Sequence, residues 1–140
     1  MASEALRRAI YVSVPDSGID ADDIGAILST ARRRNAELEI TGALLYGKGS
    51  FVQILEGPPD SVDRLLETIR TDPRHDDMTV VLRDVVEARE FAGWAMAYVG
   101  GDEAVASLGG VRPLADLVAD LKADGRIAAS LIGNVRQRIG

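Results

Sequence analysis

Two polar side chains stand in stretches that otherwise read as hydrocarbon. Gln53 interrupts the run Phe51-Val52-Gln53-Ile54-Leu55, and Tyr11 lies between Ile10 and Val12. A glutamine among apolar neighbours costs about 1–3 kcal/mol for each buried group left unmatched, so its amide needs partners. Strand alternation puts Gln53 on the face of Phe51 and Leu55. If the first and third strands are neighbours, Tyr11 and Gln53 stand side by side. They then form either a hydrogen bond of purely structural value or part of a ligand site. A third polar residue, the amide Asn35, follows Arg32-Arg33-Arg34 and by itself reads as a helix C-terminal residue. Other chemistry has little to work with. The absence of cysteine removes disulfides, thiolate metal sites and cysteine nucleophiles. His75 is the only histidine, and no serine lies in a nucleophile-elbow context.

These side chains must be positioned by a single small domain, since the chain has 140 residues. The 27% of charged residues, both signs interspersed, mark a soluble globular chain rather than a disordered one. No window approaches the roughly 18 to 20 apolar residues of a membrane span. Residues 1–8 lack the features of a signal peptide, so the expected location is cytoplasmic. The net charge of −6 argues against nucleic-acid binding. The lone basic cluster, Arg32-Arg33-Arg34, reads as a complement to a helix C-terminal dipole.

The pattern predicts a strand over 9–14, ended by Pro15, Asp16 and Gly18. A helix follows with Asp20 as N-cap and Asp22 and Asp23 in its first turn. Its apolar stripe is Ile24, Ile27, Leu28 and Ala31, and it ends near Arg34. Strands over 39–46 and 51–56 flank Gly47-Lys48-Gly49-Ser50, a hairpin signal that lacks phosphate-loop spacing. Pro58 and Pro59 open a second helix, whose stripe is Val62, Leu65, Leu66 and Ile69. Strands over 78–86 and 91–99 complete an α+β, ferredoxin-like βαββαββ order, with both helices on one sheet face. Because the third strand is apolar on both sides, the sheet should be covered twice. Residues from Pro113 onward carry stripes of Leu114, Leu117, Val118 and Leu121, then Ile127, Leu131 and Val135, and read as a C-terminal helical cap on the second face.

The sequence resembles the BLUF family of flavin-binding blue-light sensor domains over residues 8 to about 99. The resemblance rests on five stretches in order: Ile10-Tyr11-Val12-Ser13; Asn35 with Ile40-Thr41-Gly42-Ala43-Leu44-Leu45-Tyr46; Phe51-Val52-Gln53-Ile54-Leu55-Glu56-Gly57; Asp72-Pro73-Arg74-His75; and Arg89-Glu90-Phe91-Ala92-Gly93-Trp94-Ala95-Met96. It implies a non-covalent flavin, FAD with FMN as the alternative, between the two helices above the sheet. Tyr11 would donate an electron and a proton to the excited ring. Gln53 would bridge the phenol and the flavin N5/O4 edge, since one amide can serve two hydrogen-bond patterns. Asn35 would read the O4 and N3 edge, and Arg74 would lie near the ribityl-phosphate side. Trp94 and Met96, two apart and so expected on one sheet face, would relay the signal. Without cysteine, the chain cannot form a cysteinyl flavin adduct. It departs from the family at Arg34, where a second asparagine is frequent, and at Ala31, where serine is common.

The expected division is 1–100 as the flavin-binding photosensory unit and 101–140 as a helical extension of the same unit. The expected function is light sensing without substrate turnover. The signal is expected to pass to an unknown downstream protein or through a homo-oligomer, with no output domain expected after residue 140. The competing readings are a flavin-dependent oxidoreductase and a non-photoactive ferredoxin-like interaction module. Gly100-Gly101-Asp102-Glu103 is similar to the diguanylate cyclase signature. It follows the last strand, however, without the nucleotide and metal ligands that activity needs.

Overall fold

The structure, a computed structural model, describes residues 5–15, 20–47, 50–71 and 75–100, together with 132, 133, 135 and 137. The chain order is β1 (Leu6–Pro15), α1 (Ala21–Leu38), β2 (Thr41–Gly47), β3 (Ser50–Gly57), α2 (Pro59–Arg70), β4 (His75–Val86) and β5 (Ala97–Gly100). The five strands form one sheet in the order β4-β1-β3-β2-β5. β1 runs antiparallel to both β3 and β4, β2 runs antiparallel to β3, and β5 lies parallel to β2. This is the expected ferredoxin-like arrangement with one added edge strand.

Period-two alternation in the strands builds two cores. Ala9, Tyr11, Leu44, Phe51 and Leu55 point to the face covered by both helices, where Ile24, Leu28, Ala31, Val62, Leu65, Leu66 and Ile69 meet them. Ile10, Val12, Ala43, Leu45, Val52 and Ile54 point to the opposite face, where they pack with Phe91, Ala97 and Val99. Ile132 and Val135, both buried, join this second cluster. The sheet is therefore covered on both sides.

Local signals explain the element boundaries. Asp20 and Asp23 form a reciprocal capping box: the Asp20 carboxylate accepts from the Asp23 N–H at 2.8 Å, and the Asp23 carboxylate accepts from the Asp20 N–H at 3.1 Å. α1 runs a full turn beyond the expected end at Arg34. It closes at Glu39, whose φ of 59° allows Ile40 N–H to reach Asn35 O at 2.8 Å. That six-to-one bond is the Schellman stop, here with a non-glycine residue in the left-handed position. The three arginines consequently lie a turn inside the helix, and the last turn holds no basic residue. Pro58 and Pro59 start α2 as expected. Gly47 pairs with Ser50, so β2 and β3 form a tight hairpin, with residues 48 and 49 outside the described ones.

The largest departure concerns the expected strand over 91–99. Only Ala97–Gly100 form a ladder, while residues 87–96 connect β4 to β5 irregularly. Such a segment has no strand partners for its backbone groups, which must be satisfied one at a time. No helix among the described residues is long and apolar enough to cross a membrane.

Candidate functional site

The helix-covered face brings the sequence-selected polar residues together. Tyr11 and Gln53 are direct partners in the β1–β3 register. Their Cβ atoms are thus about 5 Å apart on one face. Both side chains are buried, Tyr11 at 1% and Gln53 at 5% exposure. Leu44 flanks Gln53 on its other side.

Asn35 arrives from α1. Ile24, Leu28, Ala31 and Asn35 follow the helical period, so the stripe that packs α1 on the sheet also carries this amide inward. Asn35 is fully buried, and its Nδ2 donates to Ala95 O at 2.8 Å. Its Oδ1 has no hydrogen-bond partner among the described residues. Gln53 is also weakly held: its Nε2 donates to Met96 Sδ at 3.6 Å, and a thioether is a poor acceptor. The two amides converge on the adjacent residues Ala95 and Met96. Buried amide groups left with little to bond cost free energy unless a further molecule completes them. A flat heteroaromatic ring with an imide edge, such as a flavin, offers an N–H to Asn35 Oδ1 and carbonyl oxygens to amide donors. The residues present fit that group.

Met96 lies on the helix side, buried at 1%, whereas Trp94 is 44% exposed. The expectation that both project to one sheet face fails, because residues 94–96 precede β5 and do not alternate as strand residues do. Met96, not Trp94, is the neighbour of Gln53. Arg74 lies outside the described residues, as does most of the tail. On the same face, Tyr46 packs on Phe51 with ring centroids 4.6 Å apart. The Tyr98 phenol is pushed above its ordinary pKa, first by burial and then by the neighbouring Tyr46. Neither tyrosine had been singled out from the sequence.

A fourth buried polar side chain was also passed over. Glu56 is fully buried near the end of β3, one strand step beyond the apolar run. Its Oε1 accepts from Thr41 Oγ1 at 2.8 Å and from Phe91 N at 2.6 Å, and its Oε2 accepts from Glu90 N at 2.8 Å. Thr41 is its β2 register partner, a polar pair that the sequence alone could have flagged only after the strands were aligned.

The family model described as "BLUF: Sensors of blue-light using FAD" matches residues 6–97. The chain is 45% identical over 87 residues to photoactivated adenylate cyclase subunit beta of Euglena longa, a match covering 61% of this chain and 10% of that protein. It is 40% identical over 68 residues to the blue light- and temperature-regulated antirepressor BluF of Escherichia coli (strain K12), covering 49% of this chain and 17% of that one. This chain thus spans only a small part of the curated relatives it matches. The dark-state structure of BlrB, titled a BLUF protein, superposes with a TM-score of 0.78 at 29% identity, covering 98% of this chain and 99% of that one.

Proposed function

The chain belongs to the BLUF family of blue-light sensors using FAD, and from that premise we propose that it is a photoreceptor switched by hydrogen-bond exchange at Gln53. The observation that carries this reading is the register pairing of Tyr11 with Gln53 on the helix-covered face, beside an Asn35 amide whose oxygen has no partner among the described residues. When bound, the flavin supplies the blue absorption and an excited state able to take an electron and a proton. Tyr11 gives up its Oη proton together with an electron and takes both back, so no net oxidation remains. Gln53 holds the exchange in place. Its amide carries two donors and one acceptor group, and turning it end for end swaps which of them faces the ring. Asn35 keeps the ring in register through its Oδ1, and Arg74 serves the ribityl-phosphate side. FAD is the proposed cofactor, with FMN the alternative that a basic contact at the phosphate end would also accept.

Signal relay runs from Gln53 to Met96, with Trp94 as the exposed end of the same segment. The proposed extension, residues 101–140 as part of the same unit, is supported by Ile132 and Val135, which join the core of the opposite face. The output is an association change, between copies of the chain or with a downstream signalling protein in the cytoplasm.

The test is a visible spectrum of the flavin-loaded protein before and after blue light. A reversible red shift without loss of flavin absorbance is expected. Tyr11→Phe and Gln53→Leu should retain flavin and lose the shift. A wild-type photocycle in either variant would remove the assigned roles, and a colourless protein that takes up no flavin would remove the reading itself.

A further inference from the structure

Residues 87–96 carry Met96 to Gln53 without belonging to any strand, so something outside the sheet ladder must fix their course. We propose that Glu56 is a positioning residue whose buried carboxylate fixes the path of this segment, and with it the Met96–Gln53 contact and the rate of dark recovery. The last part rests on the photoreceptor reading above.

The side chain of Glu56 lies on the sheet face opposite Gln53, in step with Val52 and Ile54. Three donors among the described residues face its carboxyl group: the N–H of Glu90, the N–H of Phe91 and the hydroxyl of Thr41. Arg89 locks the same corner, donating through Nη1 to Thr41 Oγ1 at 2.9 Å and Glu56 O at 3.1 Å, and through Nη2 to Glu39 O at 2.7 Å. Phe91, held by Glu56, is buried in the second-face cluster with Ile132 and Val135. Five residues later, Met96 is buried in the helix-face cluster. The segment therefore passes from one face to the other across the start of β2, where Gly42 N–H donates to Trp94 O at 3.1 Å. Asn35 and Arg32 hold its far end, through Ala95 O and Met96 O at 2.8 and 3.0 Å.

A displacement at Phe91 cannot be absorbed by a neighbouring ladder and must be taken up at residues 92–96. Replacing Glu56 by glutamine puts an amide NH2 against backbone N–H groups or the threonine hydroxyl. At least one buried donor then loses its acceptor, although the side-chain volume is kept.

The test compares flavin-loaded wild type, Glu56→Gln and Leu82→Ala, the last a partly buried position on β4, the sheet edge opposite β5. Two signals are read: the methyl resonance of isotopically labelled Met96 in the dark, and the dark-recovery rate after blue light. Glu56→Gln should move the Met96 methyl and change recovery about threefold or more, a small fraction of a barrier. Leu82→Ala, chosen to lower Tm comparably, should change neither. Thr41→Val, which removes one donor and the hydroxyl that Arg89 bonds, should act in the same sense if Glu56→Gln does not fold. Thr41→Ser should restore wild-type behaviour. An unmoved Met96 signal in a folded Glu56→Gln protein overturns the positioning role, and a moved signal with unchanged recovery overturns the link to the photocycle. A moved signal in a protein whose wild type shows no red shift refutes the photoreceptor reading while upholding the positioning role.

Discussion

The amide nitrogen of Gln53 lies 3.6 Å from the sulfur of Met96, while Trp94, two residues earlier, stands in solvent. A thioether accepts weakly, so the amide is held in one orientation without being strongly bound there. That is a suitable resting partner for a group that must exchange hydrogen bonds. Met96→Leu keeps the volume at a cost below about 1.5 kcal/mol but removes the acceptor. It should leave flavin binding intact and alter dark recovery. Trp94→Phe, at an exposed position, should change stability by no more than about 0.5 kcal/mol. Recovery kinetics and thermal melts of both variants decide the matter, and a Met96→Leu photocycle indistinguishable from wild type would show the contact to be incidental.

Asn35→Ala removes a buried amide that bonds Ala95 O and presents an oxygen without a partner among the described residues. The loss of about 1–3 kcal/mol expected for such groups corresponds to a rise in flavin Kd of roughly five- to 150-fold. Flavin titration monitored by fluorescence quenching measures it. Arg74→Ala should weaken retention less if its part is the charge contact expected at the ribityl-phosphate side, since such contacts in solvent contribute little. Equal losses would mean that the ring edge is not where affinity resides.

Gly42 has no room for a side chain: a Cβ there would clash with the backbone carbonyl oxygen of Ile54, which cannot yield cheaply. Its N–H also holds Trp94 O. Gly42→Ala should force β2 away from β3 and cost more than the roughly 1–3 kcal/mol typical of overpacking. Chemical denaturation gives the value, and a variant as stable as wild type would contradict the β2–β3 geometry.

The raised pKa of Tyr98 makes a prediction for alkaline solution. Its phenol holds its proton more firmly in the folded chain than in the unfolded one, whose phenols titrate near pH 10. The stability linked to the neutral phenol is therefore complete below about pH 10 and is lost as pH rises through the folded-state value. Melting temperatures measured from pH 8 to 11 should fall more steeply for wild type than for Tyr98→Phe. Parallel curves would show that burial at this site leaves the phenol unaffected.

What the residues alone determined was set by short-range periodicity. The α2 stripe of Val62, Leu65, Leu66 and Ile69 is buried as its spacing required. Asp20 caps α1 because its short carboxylate reaches the Asp23 N–H, and Gln53 lies on the face of Phe51 and Leu55 because strand side chains repeat every two residues. Strand order then made Tyr11 and Gln53 neighbours, and their one-to-one register was legible once that order was assumed. Residues 87–96 were not legible in this way. Alternation predicts a strand through Trp94 and Met96, but the chain there follows bonds to Glu56, Gly42, Asn35 and Arg32, which come from three separate elements, β3, β2 and α1. No local pattern encodes a path fixed by donors and acceptors between 34 and 64 residues distant. For the same reason Glu56 looked like the end of a strand until Thr41 and the backbone of Glu90 and Phe91 closed around it. Tertiary structure thus decided that Met96 lies inside against Gln53 while Trp94 stays in solvent.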